Sequence, residues 1–330
     1  MQKMQHKIKH SLSLFLSLLI ILTSIGSFGA QAYAAANGAL PSSTVKSYGA
    51  VEGNLKDWIL DEANGYIYAW SSNHDRLLFI STDDLKIKKE IELKGIKDVE
   101  FANGRLYVSR GYQKQIAVVD VKTATVEKSI NTKETVYKIA VADNKLFYLA
   151  SEWTGSSHPG FTDLHILDLK DLSETTINPG PESDKAKGYY FINLEADREN
   201  HVLYISSTND SYSAIFSIST TDYKPLSSNS GDRLRGIYPY IIIQGDDVFF
   251  GEYRLDKNDL SRIYGSYGGL VGSAAGDYVF ANVGERHFSY SLFDRESFIK
   301  KYEFPNSAYS RFLIDSKGIL YLYEGQGWSV

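Results

Sequence analysis

Three of the seven histidines, His74, His158 and His287, are the side chains best suited to hold a catalytic metal, since three imidazoles with an open fourth position suit a zinc-type centre. They stand far apart in the chain and lack local ligand spacing such as His-x-x-x-His. A second chemistry is offered by Arg110, Arg235, Arg254, Arg286 and Arg311 together with Trp58, Tyr112, Trp153 and Tyr253. Guanidinium forks suit carboxylates, and aromatic planes suit sugar rings or peptide side chains. The same arginines have a structural alternative, pairing with Glu152, Glu252, Glu285 and Glu324 around a solvated rim. Asp83-Asp84 and Asp246-Asp247 read as turn residues, and no Gly-x-Ser-x-Gly, phosphate loop or calcium loop is present. Cysteine is absent, which removes disulfides, thiolate metal sites and a cysteine nucleophile. No catalytic residue, metal or cofactor is therefore assigned.

The elements that must position these residues follow from composition. Hydrophobic residues make up 43% and aromatics 13% of 330 residues, enough for a large core. Tyrosine and phenylalanine number 24 and 16 against 2 methionines, a bias toward pleated strands. The net charge is −5, and residues 1–36 hold Lys3, Lys7 and Lys9 with no acidic residue, so the remainder is more acidic still. Nucleic acid, which needs a basic footprint, is not expected as a partner.

Residues 1–36 read as a secretory signal peptide. A basic start precedes the apolar run Leu12–Leu22, and Ala32-Tyr33-Ala34 and Ala34-Ala35-Ala36 both fit the small-x-small cleavage rule. The run is shorter than the ~20 residues of a spanning helix. The domain is expected at 37–330, secreted or in the cell envelope, monomeric and without a membrane span once the leader is removed.

One signature then recurs: a turn with Gly, Asn or Asp followed by a short apolar-aromatic strand. Aligning Ile67, Leu106, Leu146, Leu203, Val248, Tyr278 and Leu320 gives spacings of 39, 40, 57, 45, 30 and 42 residues, centred on the ~40–45 residues of propeller repeats. The second repeat shows the unit: Asp98–Phe101 as inner strand, then Arg105–Ser109, Ile116–Asp120 and the outer strand Val126–Ile130. Four short strands joined by tight turns make an antiparallel meander, which hides its faces by packing between copies of itself. The expectation is an all-β, seven-bladed β-propeller, with six or irregular blades as the alternative. The seventh unit has two strands, and residues 44–51 are expected to complete it as an N-terminal strand. Only 30 residues separate Val248 from Tyr278, which is short for three further strands and leaves open whether the fifth blade has all four.

The stretch Arg105–Ile130 resembles one repeat of the YVTN-type propellers, within the quinoprotein-amine-dehydrogenase-like superfamily; the likeness is close in the first two repeats and loosens along the chain. The resemblance implies a propeller whose second-to-third-strand loops and blade entries share one face. Trp58, His74, Arg110, Tyr112, Trp153, His158, Arg235, Tyr253, Arg254, Arg286, His287 and Arg311 would lie there. Insertions at 152–160 and 179–188 fall on the same face, as functional loops or as tolerated surface insertions. The resulting expectation is a non-enzymatic binding or cell-surface module for an anionic glycan or a peptide. An extracellular polysaccharide lyase or hydrolase and a structural envelope component are the alternatives.

Overall fold

The computed structural model describes residues 18–21, 30–32, 55–71, 75–150, 163–178, 190–208, 212–235, 240–283, 289–304, 309–315 and 319–324. The chain divides into two compact units. One comprises residues 53–83 and 87–271; the other comprises 1–52, 84–86 and 272–330.

Six sheets share one plan, four consecutive strands paired in chain order. Their inner strands are Leu55–Asp61, Ile96–Ala102, Val136–Ala142, Tyr190–Asp197, Ile241–Gln244 and Gly269–Ala275. In blade two, Ile96–Ala102 pairs with Arg105–Arg110, then Gln115–Asp120, then Thr125–Asn131, all antiparallel. The fold is thus an all-β propeller of four-stranded antiparallel blades.

Among the described residues six such blades are present, and this corrects the expectation of seven. The hairpin Tyr309–Ile314 and Leu320–Glu324 is followed by no third and fourth strand among the described residues. Instead Leu18–Ile21 lies parallel to Leu320–Glu324, pairing Leu18 with Leu320 and Ile20 with Leu322, and Ala30–Ala32 runs antiparallel beyond it. The unsatisfied edge of the hairpin is covered by an apolar segment, which answers its backbone hydrogen-bonding demand but makes a mixed sheet rather than a blade. Residues 44–51 lie outside the described residues, and the strand observed beside Leu320–Glu324 comes from residues 18–21. Blade five answers the question that its spacing left open. It has all four strands, Ile241–Gln244, Asp247–Phe250, Tyr253–Asp256 and Ile263–Ser266, each cut to four residues. Short strands joined by tight turns, including the two residues Gly251-Glu252, accommodate the 30-residue spacing.

Within the first unit, strand alternation sends successive side chains to opposite neighbours. Leu106 and Val108 join Tyr68 and Phe79 of blade one in one core cluster, while Tyr107 between them joins Ile139, Leu146 and Tyr148 of blade three. Phe147 turns the other way, toward Leu194, Ile205 and Phe216 of blade four. Tyr204 and Ile215 then meet Val248 and Phe250 of blade five. Both faces of each middle strand are buried, which explains why these strands read as nearly continuous apolar runs. Each fully buried leucine, valine or phenylalanine contributes about 1.5–3 kcal/mol.

Candidate functional site

The inner strands of blades one to four share an irregularity. Pairing skips a residue between Leu55 and Asp57, between Ile96 and Asp98, between Val136 and Lys138, and between Phe191 and Asn193. Such a bulge inserts one residue, bends the strand and re-aims the side chains beside it. Its effect is to bring Lys56 and Asp57, Lys97 and Asp98, and Tyr137 and Lys138 to equivalent positions of successive blades. Two residues past Asp98 and Asn193 stand Glu100 and Glu195, flanking the small Ala140 of the strand between.

The groups are tied across blades. Asp98 of blade two receives the Lys138 ammonium of blade three at 3.1 Å through Oδ1, and its Oδ2 accepts the Ile139 N–H at 3.0 Å. Lys56 of blade one donates to the Lys97 carbonyl at 2.8 Å. Asp57 Oδ1 accepts the Trp58 N–H at 3.0 Å. Arg198, just past the inner strand of blade four, donates Nε to the Val141 carbonyl at 2.8 Å and its terminal nitrogen to Glu100. One guanidinium therefore spans from blade four across blade three to blade two. Gly111 is required by a close approach: a Cβ there would stand 2.5 Å from Lys97 Cγ.

The electrostatics follow from half-burial of many charges together. Burial, then the Lys138 charge, lowers Lys56 to about 8. Burial also works against the Lys138 ammonium, yet Asp98 and Asp57 carry it above the ordinary lysine value. The Asp98 carboxyl is held up by burial against the pull of Lys138 and the Ile139 N–H. Burial pushes Glu100 up to about 8, with Arg198 opposing and Glu195 and Asp98 adding to the rise. Glu195 is pushed up to about 7 by burial, again against Arg198. Burial thus favours the protonated form of these carboxyls, against the pull of the cations beside them.

Of the twelve residues expected from sequence, seven lie among the described residues. Trp58 is 6% exposed, within the core. Arg110 donates to the Lys94 carbonyl at 3.3 Å and the Gln115 side chain at 3.2 Å. Tyr112 lies in the short 3-10 turn Gly111–Gln113. Tyr253 is half-buried, its hydroxyl pKa raised by burial and by Glu252. Arg254 is enclosed in blade five, with Nε 2.8 Å from Asp247 and its guanidinium 4.9 Å from the Tyr264 ring centre. Arg235 ends the outer strand of blade four opposite Tyr212, and Arg311 lies in the inner strand of the C-terminal hairpin. His74, Trp153, His158, Arg286 and His287, with the insertions at 152–160 and 179–188, lie outside the described residues. Among the described residues no group of three His, Asp or Glu side chains is arranged to hold a metal. His165 stacks on Tyr148 at 4.6 Å and sits 3.2 Å from Glu174, and His201 sits 2.7 Å from Asp143.

The inner-strand cluster was not anticipated from sequence. A signal was present in the repeated Lys56-Asp57 and Lys97-Asp98 pairs, and in Glu100 and Glu195 within otherwise apolar strands.

Fold and site together define a β-propeller carrying a polar inner-strand face. Solved structures agree with that class. The β-propeller domain of Myceliophteria thermophila Cps50 (Swd1) is similar at a TM-score of 0.62 and 9% identity, covering 84% of this chain and 98% of that one. The Dos1 propeller gives 0.60 and 10%, covering 96% and 94%. Kuenenia stuttgartiensis hydrazine synthase gives 0.57 and 10%, covering 79% and 89%. At such identities the likeness speaks for the fold alone. No protein-family model and no curated protein sequence matches the chain.

Proposed function

We propose that the protein is an exported interaction module that binds a charged partner on the inner-strand face of blades one to four and performs no turnover. The observation that carries this reading is the cross-blade cluster itself. Well-packed aliphatic residues at Asp98, Lys138, Glu100 and Glu195 would serve stability as well or better. Charges gathered at one level against their desolvation cost therefore point to a task other than folding. The carboxylates are engaged by the chain's own donors, Asp98 by Lys138 and Ile139 and Glu100 by Arg198, an arrangement suited to presenting a charge pattern rather than to proton transfer.

Export is supported by the basic start, apolar run and small-residue cluster of residues 1–36. Cleavage after Ala34 or Ala36 would take Leu18–Ile21 and Ala30–Ala32 from the mixed sheet and leave one edge of Leu320–Glu324 for another strand. Amino-terminal sequencing of the secreted protein should read from Ala35 or Asn37; a retained Met1 in the mature protein would overturn the export reading.

The binding reading is tested by sedimenting the protein with cell-envelope material and, in parallel, assaying cleavage of polyuronate. Envelope binding without cleavage is expected. Chelator-sensitive polyuronate cleavage would replace this reading with the lyase or hydrolase alternative.

A further inference from the structure

The C-terminal hairpin places a central strand at an edge. Leu320–Glu324 answers to the second strand of a blade. Tyr321 donates its hydroxyl to Asp315 at 3.3 Å, as Tyr68 of blade one donates to Asp61 at 2.7 Å, and Tyr321 and Tyr323 are both buried. In each blade the second strand has a neighbour on both sides. Strands that stand at an edge elsewhere in the protein are blunted against further pairing. The outer strands of blades one, two and six carry Lys88 and Lys89, Glu127 and Lys128, and Lys300 and Lys301, and that of blade four opens on Pro225. Leu320-Tyr321-Leu322-Tyr323 has neither charge nor proline.

The third strand of every blade continues the meander and runs antiparallel to the second. Beside Leu320–Glu324 that position is taken by Leu18–Ile21 running parallel, with Ala30–Ala32 in the fourth. A parallel neighbour cannot follow from a tight turn, so it arrives from a distant segment or from another chain. The complete blades say what such a strand is made of. Leu77–Ile80 and Ile116–Val119, third in blades one and two, are uncharged, apolar throughout and at most 5% exposed. The sequence Leu18-Leu19-Ile20-Ile21 has the same character.

We infer that Leu320–Glu324 is a strand acceptor for an extended, uncharged aliphatic segment of another polypeptide, added in parallel, with Leu18–Ile21 as its resident competitor. This is a second docking surface beyond the charged inner-strand face, and it draws on the export reading only for how the acceptor opens, by leader cleavage. Main-chain hydrogen bonds supply the affinity of such an added strand, and its alternating side chains supply the selectivity.

The test uses the full chain with Ile20→Pro, which removes a backbone N–H from the resident strand and opens the acceptor without cleavage. The probe is a labelled peptide of residues 16–23 flanked by lysines, and its comparator carries Leu19→Pro and Ile21→Pro, equally apolar but unable to pair as a strand. In fluorescence anisotropy the probe should bind the Ile20→Pro chain about tenfold more tightly than the unaltered full chain, and about tenfold more tightly than the comparator does. Backbone hydrogen exchange at 319–324 should slow when the probe is added, and the exported, cleaved protein should behave as the Ile20→Pro chain does. No binding by either protein, equal binding of both peptides, or binding that leaves exchange at 319–324 unchanged would overturn the inference. Dimers of the peptide-free Ile20→Pro chain in sedimentation velocity, with 319–324 protected, would replace the partner by a second copy. Joint protection of 319–324 and 44–51 in the peptide-free monomer would replace it by the chain's own segment. A retained Met1 in the exported protein would defeat the export reading alone, because the Ile20→Pro chain does not depend on cleavage.

Discussion

The inner strand of blade five runs from Ile241 to Gln244 without a bulge, pairing Ile241, Ile242 and Ile243 directly with Phe250, Phe249 and Val248. The inner strands of blades one to four run seven or eight residues, and each is bulged near its start. Charges accompany the bulge in blades one to three, where Lys56, Asp98 and Lys138 reach a neighbouring blade, while the bulge of blade four falls at Phe191-Ile192-Asn193; the unbulged strand of blade five is a run of isoleucine. Blade five keeps its ion pair, Arg254 with Asp247, within the blade between its second and third strands, where it ties one sheet together rather than several. The difference teaches that a one-residue insertion, repeated at the same place, converts a core-forming strand into a polar surface.

That contrast can be broken most forcefully in blade five. Arg254→Met leaves Asp247, 2% exposed, without its cation and should cost about 3–5 kcal/mol in urea unfolding. The matching change in the cluster, Lys138→Met, should cost less, about 1–3 kcal/mol, because Lys138 is 24% exposed and water can partly solvate the stranded Asp98. Equal costs would mean that the two ion pairs are equally enclosed.

The pH dependence separates the same regions. Burial raises Glu100 and Glu195 above the ordinary glutamate value of 4.5, so both bind protons more tightly folded than unfolded. Their contribution to stability is full below about pH 4.5 and is lost as the pH climbs through about 7 and 8. Thermal melts should therefore fall by several degrees across that interval, and the double variant Glu100→Gln, Glu195→Gln should flatten the decline. Lys56 acts in the opposite sense: its folded value of about 8 lies below the ordinary 10.5, so stability is regained between those values, and Lys56→Gln should remove the rise. The smallest effect is expected from Ser109→Ala, which loses the 2.7 Å hydrogen bond to the Val136 carbonyl at the blade-three bulge and about 1 kcal/mol.

Much of the fold was legible in the chain. Turn residues followed by apolar-aromatic strands located the second strand of every blade, because the turn needs Gly, Asn or Asp and both faces of that strand must be buried. Asn103 and Asn144 do adopt the left-handed conformation such turns require, at φ of 52° and 56°. The blade count was misread because the hairpin at Tyr309–Glu324 carries the same local pattern as a true blade, and only its pairing distinguishes it. Whether blade five keeps all four strands was left open by the spacing, because strand number does not scale with residue spacing once turns become minimal. The residues expected on a binding face were placed by the repeat register, which does not tell how deeply a side chain is packed; among the described ones, those of Trp58 and Arg254 are enclosed.

Sequence alone determined that this protein is all-β, that it repeats a four-stranded meander, and which side chains could pack against the next sheet, since alternation and turn chemistry are local properties. Tertiary structure alone decided that Lys56, Asp98, Lys138, Glu100, Glu195 and Arg198 belong to one electrostatic unit. Those residues lie on different blades, and their meeting depends on how each strand is bent and on how neighbouring sheets pack. Both are consequences of packing between sheets rather than of any pattern within one.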